Sequence, residues 1–131
     1  PSFREVLEGD PPSLPYRYTC VLPVSVPPWP RGRRDSATGG LPITGLSPQE
    51  QGRVWWHDIT LNPESRELFT AGLDGLVGIA RGSGASLGLA KRRALELALK
   101  LTVFEKQWRP DALGQVEGTL GVLEEGFGLV F

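Results

Sequence analysis

The chain has 131 residues, a length for one domain with one core, and its 14 basic and 15 acidic residues leave a net charge of −1. That balance excludes a general electrostatic attraction to nucleic acid or to an acidic membrane. No apolar run approaches the roughly 20 residues of a membrane span, and no signal-peptide pattern opens the chain. Cys20 is the single cysteine, so no internal disulfide can form and a reducing cytoplasm is the expected setting. Seventeen glycines and twelve prolines predict many turns between short regular elements. The chain begins at Pro1 and holds no methionine, which fits a lost initiator or a piece of a longer chain.

In chain order, Phe3 to Leu7 has the spacing of one helical turn, ended by Gly9-Asp10-Pro11-Pro12. Tyr16 to Val26 alternates as a half-buried strand: Tyr18, Cys20, Leu22, Val24 and Val26 share one face, and Pro23 puts the strand at an edge or near its end. Residues 27–40 combine prolines, glycines and three arginines and predict an exposed loop. Leu41 to Leu46 is a short extended piece, followed by a turn at Ser47-Pro48-Gln49-Glu50. Arg53 to Thr60, RVWWHDIT, predicts a second strand, bounded by Gly52 and Asn62-Pro63. Arg66 to Thr70 and Leu76 to Ala80 predict a hairpin around a turn with two glycines.

The longest periodic stretch is Ser86 to Trp108. Leu87, Ala90, Ala94, Leu97, Leu101 and Trp108 form a stripe that Leu95, Ala98, Leu99 and Phe104 widen. Ser86 is placed to cap the first turn and Pro110 to stop the last, which gives a rod of roughly 30 Å. Gly118 to Val122 and Phe127 to Phe131 then predict a final hairpin. The whole is an α+β domain, a mainly antiparallel sheet packed on one long helix, with a core over 16–114 and extra C-terminal strands over 115–131.

Little in the sequence points to a self-sufficient active site. His57 is the only histidine, and beside Asp58 it invites a general-base role. On one strand, however, the two side chains face opposite ways, so a structural role is the commoner explanation. Cys20, on an apolar strand face, fits a small buried hydrophobe. No cluster has metal-ligand spacing. The glycines before Ser86 suit either an anion site at a helix N-terminus or, more often, a plain capped connection. Arg31, Arg33 and Arg34 can hold a phosphate, or can be solvated charge on a loop. Trp55 and Trp56 face opposite sides of their strand, one for the core and one for solvent or a partner.

Four local matches in order resemble the C-terminal domain of glycinamide ribonucleotide synthetase (phosphoribosylamine–glycine ligase), an ATP-grasp enzyme of purine nucleotide synthesis. YTCVLPVSVPPWP with LPITGL resembles the family's strand, turn and I-x-G-L segment. WWHDIT resembles V-F-H-A-G-T, with His57 and Thr60 on shared positions. FTAGLDGLVGIARG and SLGLAKRRAL resemble its hairpin and helix start, through Ser86, Ala90, Arg93 and Ala94. WRPDALG resembles the closing R-x-D-I-G, through Arg109, Asp111 and Gly114. Asp58 and Ile59 stand where the family has Ala and Gly, Gly75 stands where its hairpin has an arginine, and residues 115–131 have no counterpart.

The resemblance implies a domain that covers one side of a ligase active site and is not catalytic alone. At most it is part of an ATP-dependent carboxylate–amine ligase. The family's ATP and Mg are held by a two-lobed ATP-grasp unit absent from this chain, so no cofactor is expected on the chain itself. His57, Thr60, Arg109 and Asp111 are the implied substrate-binding residues. The expected partner is an ATP-grasp domain or subunit, or a second copy, with no nucleic acid and no membrane. The alternative is a non-catalytic interaction or assembly module that kept the fold.

Overall fold

The alternation of YTCVLPVS forms strand β1, Tyr18–Ser25, with Cys20, Leu22 and Val24 buried and Thr19, Val21 and Pro23 facing outward. The structure, a computed structural model, describes residues 18–30, 39–72 and 74–128. The predicted turn at Phe3–Leu7, the arginines of 31–34 and residues 129–131 of the predicted final strand lie outside those ranges. After β1 come β2 (Pro42–Ile43), the one-turn helix α1 (Pro48–Gln51), β3 (Val54–Trp56), β4 (Ile59–Leu61), β5 (Leu68–Thr70), β6 (Leu76–Gly84), α2 (Leu87–Lys100) and α3 (Val116–Phe127).

The strands form two three-stranded antiparallel sheets, ordered β1-β6-β3 and β2-β5-β4. Two predicted connections are thereby corrected. RVWWHDIT is not one strand: Asp58 adopts a left-handed φ of 38°, and its carbonyl accepts the N–H groups of Ala71 (2.7 Å) and Gly72 (3.1 Å). A short polar side chain tolerates that conformation, so the chain turns there and passes from the first sheet into the second. Nor do β5 and β6 form a hairpin. Both edges of β6 are taken, by β1 along its length and by β3, while β5 lies between β2 and β4. Gly75, at φ +79°, redirects the chain between them, and its carbonyl accepts the Val26 N–H at 2.8 Å.

Helix α2 lies against β1 and β6, as its apolar stripe predicts, burying Ala90, Ala94, Leu97 and Ala98 against Leu22, Val24 and Ala80. Ser86 caps it, its hydroxyl accepting the Leu89 N–H at 3.3 Å. The helix ends at Lys100, not at Pro110, so it is about 21 Å long. Leu101 turns to an extended conformation, and the following residues pair with strand ends instead: Thr102 with Thr44, and Gln107 with Ser25. Backbone bonding to the sheets there competes successfully with further helical turns.

Lys106 completes the helix end. Its ammonium donates to the carbonyls of Ala98 (3.2 Å), Leu99 (3.0 Å) and Leu101 (2.7 Å), groups that a helix C-terminus leaves unpaired. Burial pushes this ammonium below the usual lysine value. Lys106→Met keeps an apolar stem and removes the charge; we expect a loss of about 1 kcal/mol, read from chemical denaturation.

Over Val116–Phe127 the predicted C-terminal hairpin gives way to a helix. In α3, Val116, Leu120 and Leu123 recur on one side and are half-buried, and Gly128 ends the helix in a left-handed conformation at φ +65°. Gly118, Gly121 and Gly126 weaken the helical signature, because glycine is a poor helix former.

Also at the C-terminal end of α2, Ser47 and Glu50 form a reciprocal cap on α1, where a plain turn was predicted. Glu50 also takes the Lys100 ammonium at 2.6 Å, tying α1 to α2. The Lys100 hydrogen bond, with the Ser47 N–H and hydroxyl, lowers the Glu50 carboxyl from 4.5 to about 2. The stabilisation this gives is present above the unfolded-chain value and is lost as pH falls through the interval down to about 2. Glu50→Gln is expected to flatten the fall in melting temperature across that acid interval while leaving its shape above about pH 5 unchanged.

Candidate functional site

The bend at Asp58 changes the geometry expected for His57. The two side chains are not on opposite strand faces: His57 Nδ1 lies 3.7 Å from Asp58 Oδ2, with both largely exposed. That separation is beyond a hydrogen bond, so Asp58 does not hold the imidazole in one tautomer by direct contact. The His57 N–H donates to Val77 O at 3.0 Å, which fixes its backbone against the first sheet.

Thr60, in β4 opposite Phe69, borders a shallow depression shared with Asn62 and Glu64. Arg109 borders a different cavity, of about 430 Å³, with Trp29, Pro30, Gln107 and Trp108. Arg109 and Asp111 form a two-pronged pair, Nη2–Oδ2 at 2.7 Å and Nε–Oδ1 at 3.3 Å. The pairing holds the Asp111 carboxyl below, and the Arg109 guanidinium above, their ordinary values. Thr60 and Arg109 therefore stand at two separate depressions, and Arg109 and Asp111 act as one unit.

A third cleft, of about 400 Å³, is lined by Gln49, Arg53, Arg81, Ser83 and Arg93. Strand periodicity explains its floor: Ala80 and Gly82 face α2, so Arg81 and Ser83 project from the other side of β6. Arg93, on α2, donates from Nη1 to Ser83 O at 2.7 Å. Arg53, just before β3, reaches Arg93 O at 3.4 Å and Arg81 O at 3.5 Å through Nη2. The Arg81 guanidinium lies 5.9 Å from the centre of the Trp55 ring. Arg81 and Arg93 fell within separate motif segments, FTAGLDGLVGIARG and SLGLAKRRAL, and no spacing linked them to each other or to Arg53.

Trp55 is 55% exposed, while Trp56 packs on the core, as the predicted division of the pair requires. Cys20 is buried, and burial raises its thiol, which favours the neutral form. Among the described residues no three His, Cys, Asp or Glu side chains gather as metal ligands, and no helix is long and apolar enough to cross a membrane.

Neither a protein-family model nor a curated protein sequence matches this chain. Solved structures do. The crystal structure of phosphoribosylamine–glycine ligase from Thermotoga maritima matches 71% of this chain with a TM-score of 0.56 and 25% identity. In fold, this chain is similar to phosphoribosylamine–glycine ligase. It spans about a fifth (21%) of that ligase's length. The two antiparallel sheets with α2 across one of them make an α+β unit like the C-terminal domain of phosphoribosylamine–glycine ligase, the architecture the ordered sequence motifs implied.

Proposed function

We propose that this chain is the active-site-covering C-terminal domain of a phosphoribosylamine–glycine ligase-like ATP-grasp enzyme, present as a fragment, a subunit or a stand-alone relative. The fold match over 71% of the chain is the observation that carries this reading. In it, ATP and Mg belong to the ATP-grasp portion, and His57, Thr60, Arg109 and Asp111 contribute contacts to substrate from the covering side. The setting is the cytoplasm, in keeping with a single buried cysteine. Adding the chain to an ATP-grasp ligase fragment that lacks its own C-terminal domain should produce glycine- and phosphoribosylamine-dependent ADP release. No gain over the fragment alone counts against the proposal.

A second reading, a non-catalytic assembly module, is favoured by α3. Val122 and Phe127 on that helix are 65% and 73% exposed, large apolar side chains that an assembly partner would cover. Light scattering after size exclusion separates the two: a strict monomer at high concentration argues against self-assembly.

A further inference from the structure

We infer that the cleft between Arg53, Arg81 and Arg93 is a binding site for a small phosphate monoester. The inference needs only the isolated chain, so it stands or falls apart from the ligase reading. Three guanidinium groups, from the turn before β3, from β6 and from α2, line one cleft, and each residue is half-buried. Among the described residues no carboxylate lines the cleft or forms an ion pair with any of the three. Elsewhere the chain, which has more acidic than basic residues, sets carboxylates against several of its cations: Arg92 with Glu96, Lys100 with Glu50, Arg109 with Asp111. Concentrated like charge without a counter-charge opposes folding, and an anion bound among the three relieves that repulsion.

The groups are also held in place before any ligand arrives. Arg93 is anchored through one N–H to Ser83 O, and Arg53 through one nitrogen to the carbonyls of Arg81 and Arg93. Arg81 lies beside the Trp55 ring. A guanidinium has five donors in a rigid fork, so each anchored side chain keeps further N–H groups for a ligand. Gln49 adds an amide, and the Ser83 hydroxyl, already 3.0 Å from Thr19 Oγ1, adds a neutral donor or acceptor. Three positive charges match a tetrahedral dianion better than a single carboxylate, and forked donors fit phosphate oxygens. A cleft of about 400 Å³ has room for more than the phosphate group, which favours an ester with a small organic part.

The test is titration of the full chain with glycerol phosphate, inorganic phosphate and acetate at matched ionic strength, followed by calorimetry and by the arginine side-chain N–H signals in NMR. Glycerol phosphate should bind saturably, at least tenfold tighter than acetate, and should move the Arg53, Arg81 and Arg93 signals. Arg81→Gln, whose guanidinium donates no hydrogen bond that the fold uses among the described residues, should weaken binding at least tenfold with an unchanged circular dichroism spectrum. Arg53→Lys serves the same purpose if Arg81→Gln misfolds, and Arg92→Gln, outside the cleft, should change nothing. Equal affinity for acetate and phosphate overturns the inference. So does undiminished binding by a folded Arg81→Gln or Arg53→Lys chain.

Discussion

Gly82→Ala is expected to destabilise the domain by about 3 kcal/mol, at the upper end of what overpacking a core costs. Gly82 lies in β6 directly beneath α2. A methyl group there would press into the Ala90 carbonyl oxygen and the Ala94 amide nitrogen, with the Arg93 carbonyl carbon 2.8 Å away. These are backbone atoms of a helix, so no side-chain rotation can relieve the overlap, and α2 must lift from the sheet. The opposing effect, reduced freedom of the unfolded chain, is worth only about 0.4–1 kcal/mol and does not decide the sign. Gly121→Ala makes the contrast within the same protein. It sits inside α3 with open space where its Cβ would be, so we expect stabilisation by up to about 1 kcal/mol and a gain in helical circular dichroism. Chemical denaturation of the two variants should move in opposite directions. A Gly82→Ala chain as stable as the parent would mean that α2 does not approach β6 this closely.

The second large effect is expected at Leu97. It is 2% exposed and lies in the core between α2 and the sheet. Leu97→Ala removes buried methyl groups and leaves a cavity that surrounding side chains fill only in part, costing about 3 kcal/mol, or roughly 10 °C in melting temperature for a chain of this size. Leu99, two residues on, is 65% exposed, and Leu99→Ala should change stability by less than about 0.5 kcal/mol. The pair tests which side of the helix faces the sheet. The sequence pattern placed both leucines on one widened stripe; the structure keeps Leu97 inside and leaves Leu99 and Phe104 outside. Comparable losses from both variants would contradict that orientation.

The unevenness of these two expectations has a physical origin in how local and distant interactions divide the chain. Strand β1 and the start and apolar face of α2 were legible from residues 18–26 and 86–98, because alternation and helical spacing are properties of neighbours. The Ser86 cap was legible for the same reason. The end of α2 was not: Leu101 to Phe104 continue an apolar helical pattern, yet Thr102 pairs with Thr44 and Gln107 with Ser25, far away in sequence. The break at Asp58 was equally hidden, since it depends on Ala71 and Gly72 donating to one carbonyl. In α3 the glycines masked a helix that the Val116, Leu120 and Leu123 spacing supports.

For the candidate sites, sequence order placed His57, Thr60, Arg109 and Asp111 on motif positions, and the fold set Thr60 and Arg109 at separate depressions. The arginine cleft had no signal in spacing at all. Arg53 meets Arg81 across 28 residues and Arg93 across 40, and only antiparallel pairing of β3 with β6, beneath α2, brings them together.

By itself, then, the amino-acid sequence determined that this is an α+β domain with an amphipathic helix on an antiparallel sheet, because periodic burial is written into adjacent residues. Tertiary structure alone decided that the described strands form two sheets, that β6 sits between β1 and β3, and that three arginines converge with no carboxylate among the described residues lining their cleft. Strand partners are chosen by which edges remain open and which backbone groups need hydrogen bonds, and that choice is made across the whole chain.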